Sequence, residues 1–460
     1  MNLSQLRSTL DRKLEETPVY IQHGRVEKAA GLLLEASGIR ASVGDRCLLE
    51  LTEGAVPAQV VGFSGQRSFL MPLAPLHGIR PGTRIVPDTD RTLPRASALL
   101  GRVVDALGCP LDGRPFQGER MPRRARDPLN PLERRPIVEA LDVGVRSINS
   151  LLTVGVGQRL GIFAGSGVGK SVLLGMLARF TRADAVVVGL IGERGREVQE
   201  FVQEDLAEGL RKSIVVAAPA DASPALRLQG AALAMEFAES LRREGKRVLL
   251  LMDSLTRVAQ AQREIGLSMG EPPTAKGYPP SVFAALPQLI ERAGQTITDS
   301  GSITAFFTVL MEEDDLQDPV VDAARAILDG HIVLSRRLAD RGHYPAIDIE
   351  SSISRLMQKL IDPAQRESVQ RFRGLWSRYA EQEDLISVGA YQAGADPETD
   401  AAIRMRPALS HFLQQPPDQR VDLAGSRAQL EALWKTAAQT GAPGGNLPEK
   451  SRLVRGGNGA

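Results

Sequence analysis

Ala164-Gly165-Ser166-Gly167-Val168-Gly169-Lys170-Ser171 follows the apolar run Leu160-Gly161-Ile162-Phe163 and leads into Val172-Leu173-Leu174-Gly175-Met176-Leu177. The order reads strand, glycine-rich turn, helix. Gly165, Gly167 and Gly169 let backbone N–H groups turn inward around a phosphate, and the start of the following helix adds a favourable dipole. Ser166 and Val168 complete the loop. Lys170 is placed to reach the β- and γ-phosphates, and the Ser171 hydroxyl to join a Mg²⁺ ion. Ala164 stands where the usual pattern has its first glycine. The pattern predicts a nucleotide site. A glycine-rich turn with no ligand would not need Lys-Ser at the helix start.

Outward from this loop, Ile137 to Arg355 alternates short apolar runs with helical stretches. The strand candidates are Leu160–Phe163, Ala185–Ile191, Ile214–Ala217, Val248–Met252, Ile303–Leu310 and His331–Leu334. They are continuous and mostly rich in Val and Ile, which predicts an α/β fold with a mostly parallel sheet covered on both faces. Ligands of such sheets sit beyond the carboxyl ends of strands. Two acids fall at such ends. Asp253 closes Val248-Leu249-Leu250-Leu251-Met252 and can hold a Mg²⁺ hydration shell beside Ser171, or simply cap the next helix. Glu193 follows Val188-Gly189-Leu190-Ile191-Gly192 and can align a water on the γ-phosphate, or pair with a neighbouring arginine. Arg194, Arg196 and Arg257 are open as phosphate or structural partners.

The flanks differ in texture. Leu3, Leu6, Leu10 and Leu14 share one helical face, either packed on their own domain or held out for a partner. From Pro18 to about Asp88, short apolar segments (Val19–Ile21, Leu32–Leu34, Cys47–Leu51, Ala58–Val61) alternate with turns such as Val43-Gly44-Asp45 and Arg80-Pro81-Gly82, predicting a small β-barrel. Tyr20, Phe63 and Phe69 read as barrel core. Residues 113–136, rich in Pro and Arg, read as an exposed connection. Residues 358–440 are helical in character, anchored by Phe372, Leu375, Trp376 and Tyr379. The division is therefore a helix at 1–18, a barrel at 19–88, a P-loop domain with its entry linker at 89–357, a helical domain at 358–440 and a flexible Gly-rich tail at 441–460.

Length and composition set limits. At roughly 150 residues per domain, 460 residues suggest about three domains. Lys plus Arg number 56 against 55 Asp plus Glu, a net charge of +1, so no global pull toward nucleic acid or membrane is implied. Two cysteines, Cys47 and Cys109, give no disulfide framework or zinc cluster. The polar N-terminus is no signal peptide, and no apolar run approaches the roughly 18 residues of a membrane span. These features predict a cytoplasmic protein, with no membrane span of its own and no nucleic-acid partner.

The motifs resemble those of the catalytic subunits of rotary ATP synthases, and more closely those of the type III protein-export ATPases. Gly192-Glu193-Arg194-Gly195-Arg196-Glu197 is similar to the superfamily's catalytic-glutamate segment. Asp253, in Met252-Asp253-Ser254-Leu255-Thr256-Arg257, falls on its Mg²⁺ aspartate. Tyr344, in His343-Tyr344-Pro345-Ala346-Ile347-Asp348, falls on the aromatic that stacks on adenine. Arg355, in Ser351-Ser352-Ile353-Ser354-Arg355, falls on the arginine finger that reaches the neighbouring subunit's γ-phosphate. Gly270 to Phe283 and Val388-Gly389-Ala390-Tyr391-Gln392-Ala393-Gly394 resemble export-ATPase signatures, and the synthase's acidic C-terminal loop is not apparent. Tyr344 to Arg355 looks flagellar.

The resemblance implies a RecA-like core and a homohexameric, Mg²⁺-dependent ATPase that energises export of flagellar proteins by chaperone release and unfolding of substrates. Lys170, Glu193 and Arg355 would be catalytic. It also implies a stator-like regulator bound through the N-terminal helix, and contacts with an export gate, a central stalk and chaperone–cargo complexes at the inner membrane. The alternatives are an injectisome ATPase, a synthase-type catalytic subunit, a non-catalytic ring subunit that would lack the carboxylate at 193, and an RNA translocase that would want a basic or aromatic N-terminal platform.

Overall fold

The computed structural model describes residues 23–74, 77–90, 92–123, 130–311 and 318–439. The expected helix at 2–16, the segment Val19–Ile21 and the tail 441–460 lie outside these residues, as does part of the arginine cluster.

Six antiparallel strands close into a barrel in the order β1-β2-β5-β4-β3-β6. They are β1 (Gly24–Ala30), β2 (Leu33–Ser37), β3 (Arg46–Leu51), β4 (Gly54–Ser64), β5 (Arg67–Pro72) and β6 (Arg84–Pro87). Alternation turns one side of each strand inward. Val26, Leu34, Cys47, Leu49, Val60, Leu70 and Ile85 form the barrel core. Phe63 departs from expectation: it is 65% exposed, because it lies at the β4–β5 hairpin tip, past the enclosed part of the barrel. The barrel seats on the following domain through Leu33, Met71 and Leu73, which pack with Ala225 and Ile265. The approach is close at Gly62, where a Cβ would come within 2.5 Å of the Met269 Cε.

A nine-stranded sheet forms the centre. Its principal strands are β7 (Arg102–Asp105), β8 (Arg159–Ala164), β9 (Ala185–Ile191), β10 (Ser213–Ala218), β11 (Arg247–Asp253), β12 (Ser302–Leu310), β13 (Gly330–Leu334) and β14 (Ile347–Ser354). They run in the order β14-β13-β8-β12-β11-β9-β10-β7. Only the edge strand β14 is antiparallel along this path; the other neighbours are parallel. Every residue of β9 is buried, as expected for a parallel strand covered on both faces. The six apolar runs read from sequence are all strands, each within one or two residues of its expected ends. The two edge strands are additions. β7 lies between the expected barrel and the 113–136 connection, where no strand is expected from sequence, and a short strand inside that connection, Arg120–Pro122, pairs with Thr92–Pro94.

Crossover helices cover the sheet. Three matter for the site: α1 (Lys170–Phe180), α2 (Pro224–Arg243) and α3 (Leu255–Ser268). The chain then forms α4 (Pro363–Ser387), α5 (Pro397–Leu413) and α6 (Leu423–Gln439). Phe372 and Trp376 of α4 stack 6.2 Å apart in a core shared with Phe412 of α5. Arg146 binds these helices to the core. It is 9% exposed and donates to the Phe412 carbonyl at 2.6 Å and to the Gln429 Oε1 at 2.6 Å. Among the described residues, no helix is long and apolar enough to cross a membrane.

Candidate active site

The loop from Gly165 to Gly169 leaves the carboxyl end of β8 and enters α1. Gly167 and Gly169 have φ of +76° and +87°, a region costly for any residue with a Cβ. Gly169 is also crowded: a Cβ there would meet the Tyr344 ring at 3.3 Å. Lys170 and Ser171 open the first turn of α1, where backbone N–H groups have no helical partner. The loop borders a cleft of about 830 Å³ whose walls also include Glu193, Arg194, Arg227, Arg257 and Glu264.

Asp253 and Glu193 arrive on neighbouring strands. β11 and β9 pair in register, with Leu190 opposite Asp253, so Glu193 emerges three residues beyond the partner of Asp253. Both acids meet Lys170, whose Nζ lies 2.6 Å from the Asp253 Oδ1 and 3.2 Å from the Glu193 Oε1. The partner of Glu193 is therefore the phosphate-loop lysine and not the arginine weighed from sequence. Arg194 and Arg196 turn instead to Glu197 and Glu200 on the surface. The capping alternative for Asp253 also fails, since Ser254 caps α3 by accepting from the Arg257 N–H.

The electrostatics follow from burial. Burial works to lower the Lys170 ammonium, but Asp253 and Glu193 outweigh it and hold it above its ordinary value. The Asp253 carboxyl is pushed up, first by burial and then by the nearby Glu193 charge, with Lys170 and Thr308 opposing. Thr308 on β12 donates to the Asp253 Oδ1 at 2.5 Å. Sequence reasoning missed Thr308, although a hydroxyl inside the apolar run Ile303–Leu310 was a usable signal. It also missed Arg336, which donates to the Ser166 carbonyl at 2.9 Å from one helix beyond β13.

Tyr344 belongs to the same site. Its ring covers Gly169, and its carbonyl accepts from the Gln415 N–H at 3.0 Å. His343 beside it packs edge-on to Trp376, with ring centroids 6.4 Å apart. Arg406 lies 3.6 Å over the Trp376 ring and 4.4 Å over that of Tyr379. The helical domain thus holds the Tyr344 loop against the phosphate loop.

Arg355 does not join them. Antiparallel pairing of β14 with β13 sets Ser354 opposite Gly330, at the start of the parallel strands. The Arg355 N–H donates to the Asp329 carbonyl, and Asp329 bonds Arg159 at the first residue of β8. The phosphate loop leaves the other end of β8. Five residue rises of about 3.3 Å put roughly 17 Å of strand between them, too far for one side chain.

Comparison with known proteins decides the family. Residues 144–354 match the ATP synthase alpha/beta family nucleotide-binding domain, and residues 361–432 match the T3SS EscN ATPase C-terminal domain. The flagellum-specific ATP synthase of Pseudomonas aeruginosa is 58% identical over 421 residues, covering 90% of this chain and 93% of the relative. This chain belongs to the type III export ATPases of the ATP synthase alpha/beta family. The Salmonella typhimurium flagellum-specific ATP synthase is 54% identical, covering 93% of the ATPase and 96% of the relative. Among solved structures, the assembled ATPase EscN from enteropathogenic E. coli superposes with a TM-score of 0.82 at 39% identity, covering 89% of this chain and 99% of that one. EscN in complex with its central stalk EscO gives 0.81. The ATPase is an ATP-hydrolysing enzyme with the barrel, P-loop core and helical domain of this class. The flagellum-specific relatives favour the flagellar system over the injectisome one.

Proposed function

We propose that this ATPase works as a ring of identical subunits in which each nucleotide site is finished by Arg355 of the next subunit. The observation that supports this is the separation of Arg355 from its own phosphate loop by the length of β8. A single chain holds Lys170, Glu193 and Asp253 together and leaves its own finger at the opposite end of the parallel strands.

In this reading the loop N–H groups from Gly165 to Gly169 and the Lys170 ammonium bind the β- and γ-phosphates. Lys170 gives up its contacts with Glu193 and Asp253 to do so. The freed Glu193 carboxylate orients the attacking water, and Tyr344 stacks on the adenine. Arg355 of the neighbour neutralises charge developing on the γ-phosphate, worth roughly a thousandfold or more in related trans-finger systems.

The donors suit Mg²⁺. A hydroxyl on Ser171 and a carboxylate on Asp253 are hard oxygen ligands, and among the described residues there is no group of three or more acids, histidines and cysteines able to hold a metal without help. That matches an ion carried mostly by water and phosphate. When bound, it would offset phosphate charge.

Hydrolysis would energise export of flagellar proteins, through substrate unfolding and chaperone release, on the cytoplasmic side of the inner-membrane export apparatus. The expected partners are a central stalk, as in the EscN–EscO complex, an export gate, chaperone–cargo complexes and a stator-like regulator bound through residues 2–16. Turnover per chain against protein concentration tests the reading. It should rise as rings assemble. Constant turnover down to dilutions where sedimentation shows only monomers would reject it.

A further inference from the structure

Asp329 sits between the start of β8 and Arg355, in the turn that opens β13. Its carboxylate faces one way. Oδ2 accepts from the backbone N–H of Arg159 at 3.0 Å and from its Nε at 3.0 Å, and Oδ1 accepts from Nη2 at 3.1 Å. Its own N–H donates back to the Arg159 carbonyl at 2.9 Å. Residues 159 and 329 are thus locked by backbone and by a charge-assisted fork, with side chains 15% and 21% exposed.

The Asp329 carbonyl faces the other way. It accepts from the Arg355 N–H at 3.0 Å and from the Nε2 of Gln158 at 3.2 Å. Gln158 is fully buried and also donates to the Ser354 Oγ at 3.1 Å, which in turn donates to the Thr153 carbonyl at 2.9 Å. Gly330 closes the arrangement. Its φ is +152°, and a Cβ there would lie 2.3 Å from the Ile353 carbonyl oxygen. The turn at 329–330 lies so close to residues 353–354 that a side chain at 330 would not fit. Arg355 itself is exposed, with its Nη2 bonded to the Arg325 carbonyl at 3.0 Å. Its backbone is pinned while its guanidinium faces outward.

We propose that Asp329, through its fork with Arg159, is a positioning residue for Arg355 and so governs catalysis in the neighbouring subunit's site and not in its own. The physical reason is tolerance. A finger acting across a subunit boundary is aimed by its backbone, and an error of about 1 Å in such a group can cost on the order of a hundredfold in rate. Asp329 touches no part of its own cleft, so its loss leaves nucleotide binding untouched. This rests on the proposed action of Arg355 in trans.

The test uses the full chain with Asp329→Asn, and Arg159→Met as a second variant that removes the fork from its other side together with the 2.6 Å Arg159–Glu291 pair. The expected result is a fall in kcat of roughly tenfold to a hundredfold, with KM for ATP, affinity for a fluorescent ATP analogue, and ring assembly by sedimentation all as in the parent. Mixing either variant with Lys170→Ala protein, which has a dead phosphate loop but a sound finger, should raise turnover above the sum of the two alone. Arg355→Ala mixed with Lys170→Ala is the control. A parental kcat, or a raised KM with unchanged kcat, overturns the proposal. So does failure of rescue where the Arg355→Ala control is rescued. If the control also fails, action in trans is wrong and the proposal falls with it.

Discussion

The Lys170 Nζ lies 2.6 Å from the Asp253 Oδ1, with the two side chains 12% and 4% exposed. The lysine proposed to bind phosphate is thus held by the acid expected to serve the metal, with Glu193 as second partner. This trio is self-neutralising in part, so no bare lysine waits in the cleft. In the proposed mechanism an entering triphosphate would exchange one set of anions around Lys170 for another and would release both carboxylates for their own tasks.

Glu193→Gln keeps the shape of the side chain and removes its charge. Nucleotide binding should persist while phosphate release falls about a hundredfold to ten-thousandfold, the usual span for a lost general base. Turnover near the parental rate would reassign the water-orienting role. The two readouts are a phosphate-release assay and titration with a fluorescent ATP analogue.

Lys170→Met should abolish nucleotide binding and also change how stability depends on pH. Burial already raises the Asp253 carboxyl above its ordinary value. Removing the cation raises it further. A group whose folded pKa is above its unfolded one binds protons more tightly in the folded state, so stability rises as pH falls through the folded value. Thermal melts of the variant should therefore move upward between neutral and mildly acidic pH, relative to the parent. A parallel pair of melting curves would refute this.

Gly169→Ala meets two obstacles together, a φ of +87° and the Tyr344 ring at 3.3 Å. The left-handed backbone alone costs roughly 1–2 kcal/mol for a residue with a Cβ. We expect a lower melting temperature and weaker nucleotide binding, with Tyr344→Ala in the same chain restoring stability in part. No gain from the second substitution would show that the ring contact is not limiting.

His343 gives an opposite pH response. Burial, and secondarily Arg406, hold its imidazole below the ordinary 6.5. A depressed folded value means stability is fully present above 6.5 and is lost as pH falls below it. Urea midpoints should drop on acidification, and His343→Phe should flatten part of that slope. His331, depressed mainly by burial too, accounts for a share of the remainder.

The sequence by itself determined the interior of the fold. Strands β8 to β13 are enclosed on both faces, so each had to be a nearly continuous apolar run and could be read as such. The phosphate loop was legible because its chemistry is local: glycines, a lysine and a hydroxyl within eight consecutive residues. The barrel was legible in kind through its turns. Strands β1, β5 and β6 were not, since outward residues such as Lys28, Arg67 and Arg84 interrupt their apolar pattern. The edge strands escaped for a related reason. Arg102-Val103-Val104-Asp105 is too short and too polar to announce itself, and Ile347 to Ser354 alternates because only one side is buried.

Only the tertiary structure decided which of the functional residues meet. Lys170, Glu193 and Asp253 are 83 residues apart at most, and parallel strands in the middle of the sheet bring them together at their carboxyl ends. Arg355 comes from a strand that runs the other way, and that single reversal carries it to the amino-terminal ends of the parallel strands. Strand direction is set by long-range pairing and helix crossovers, which no local stretch of sequence contains.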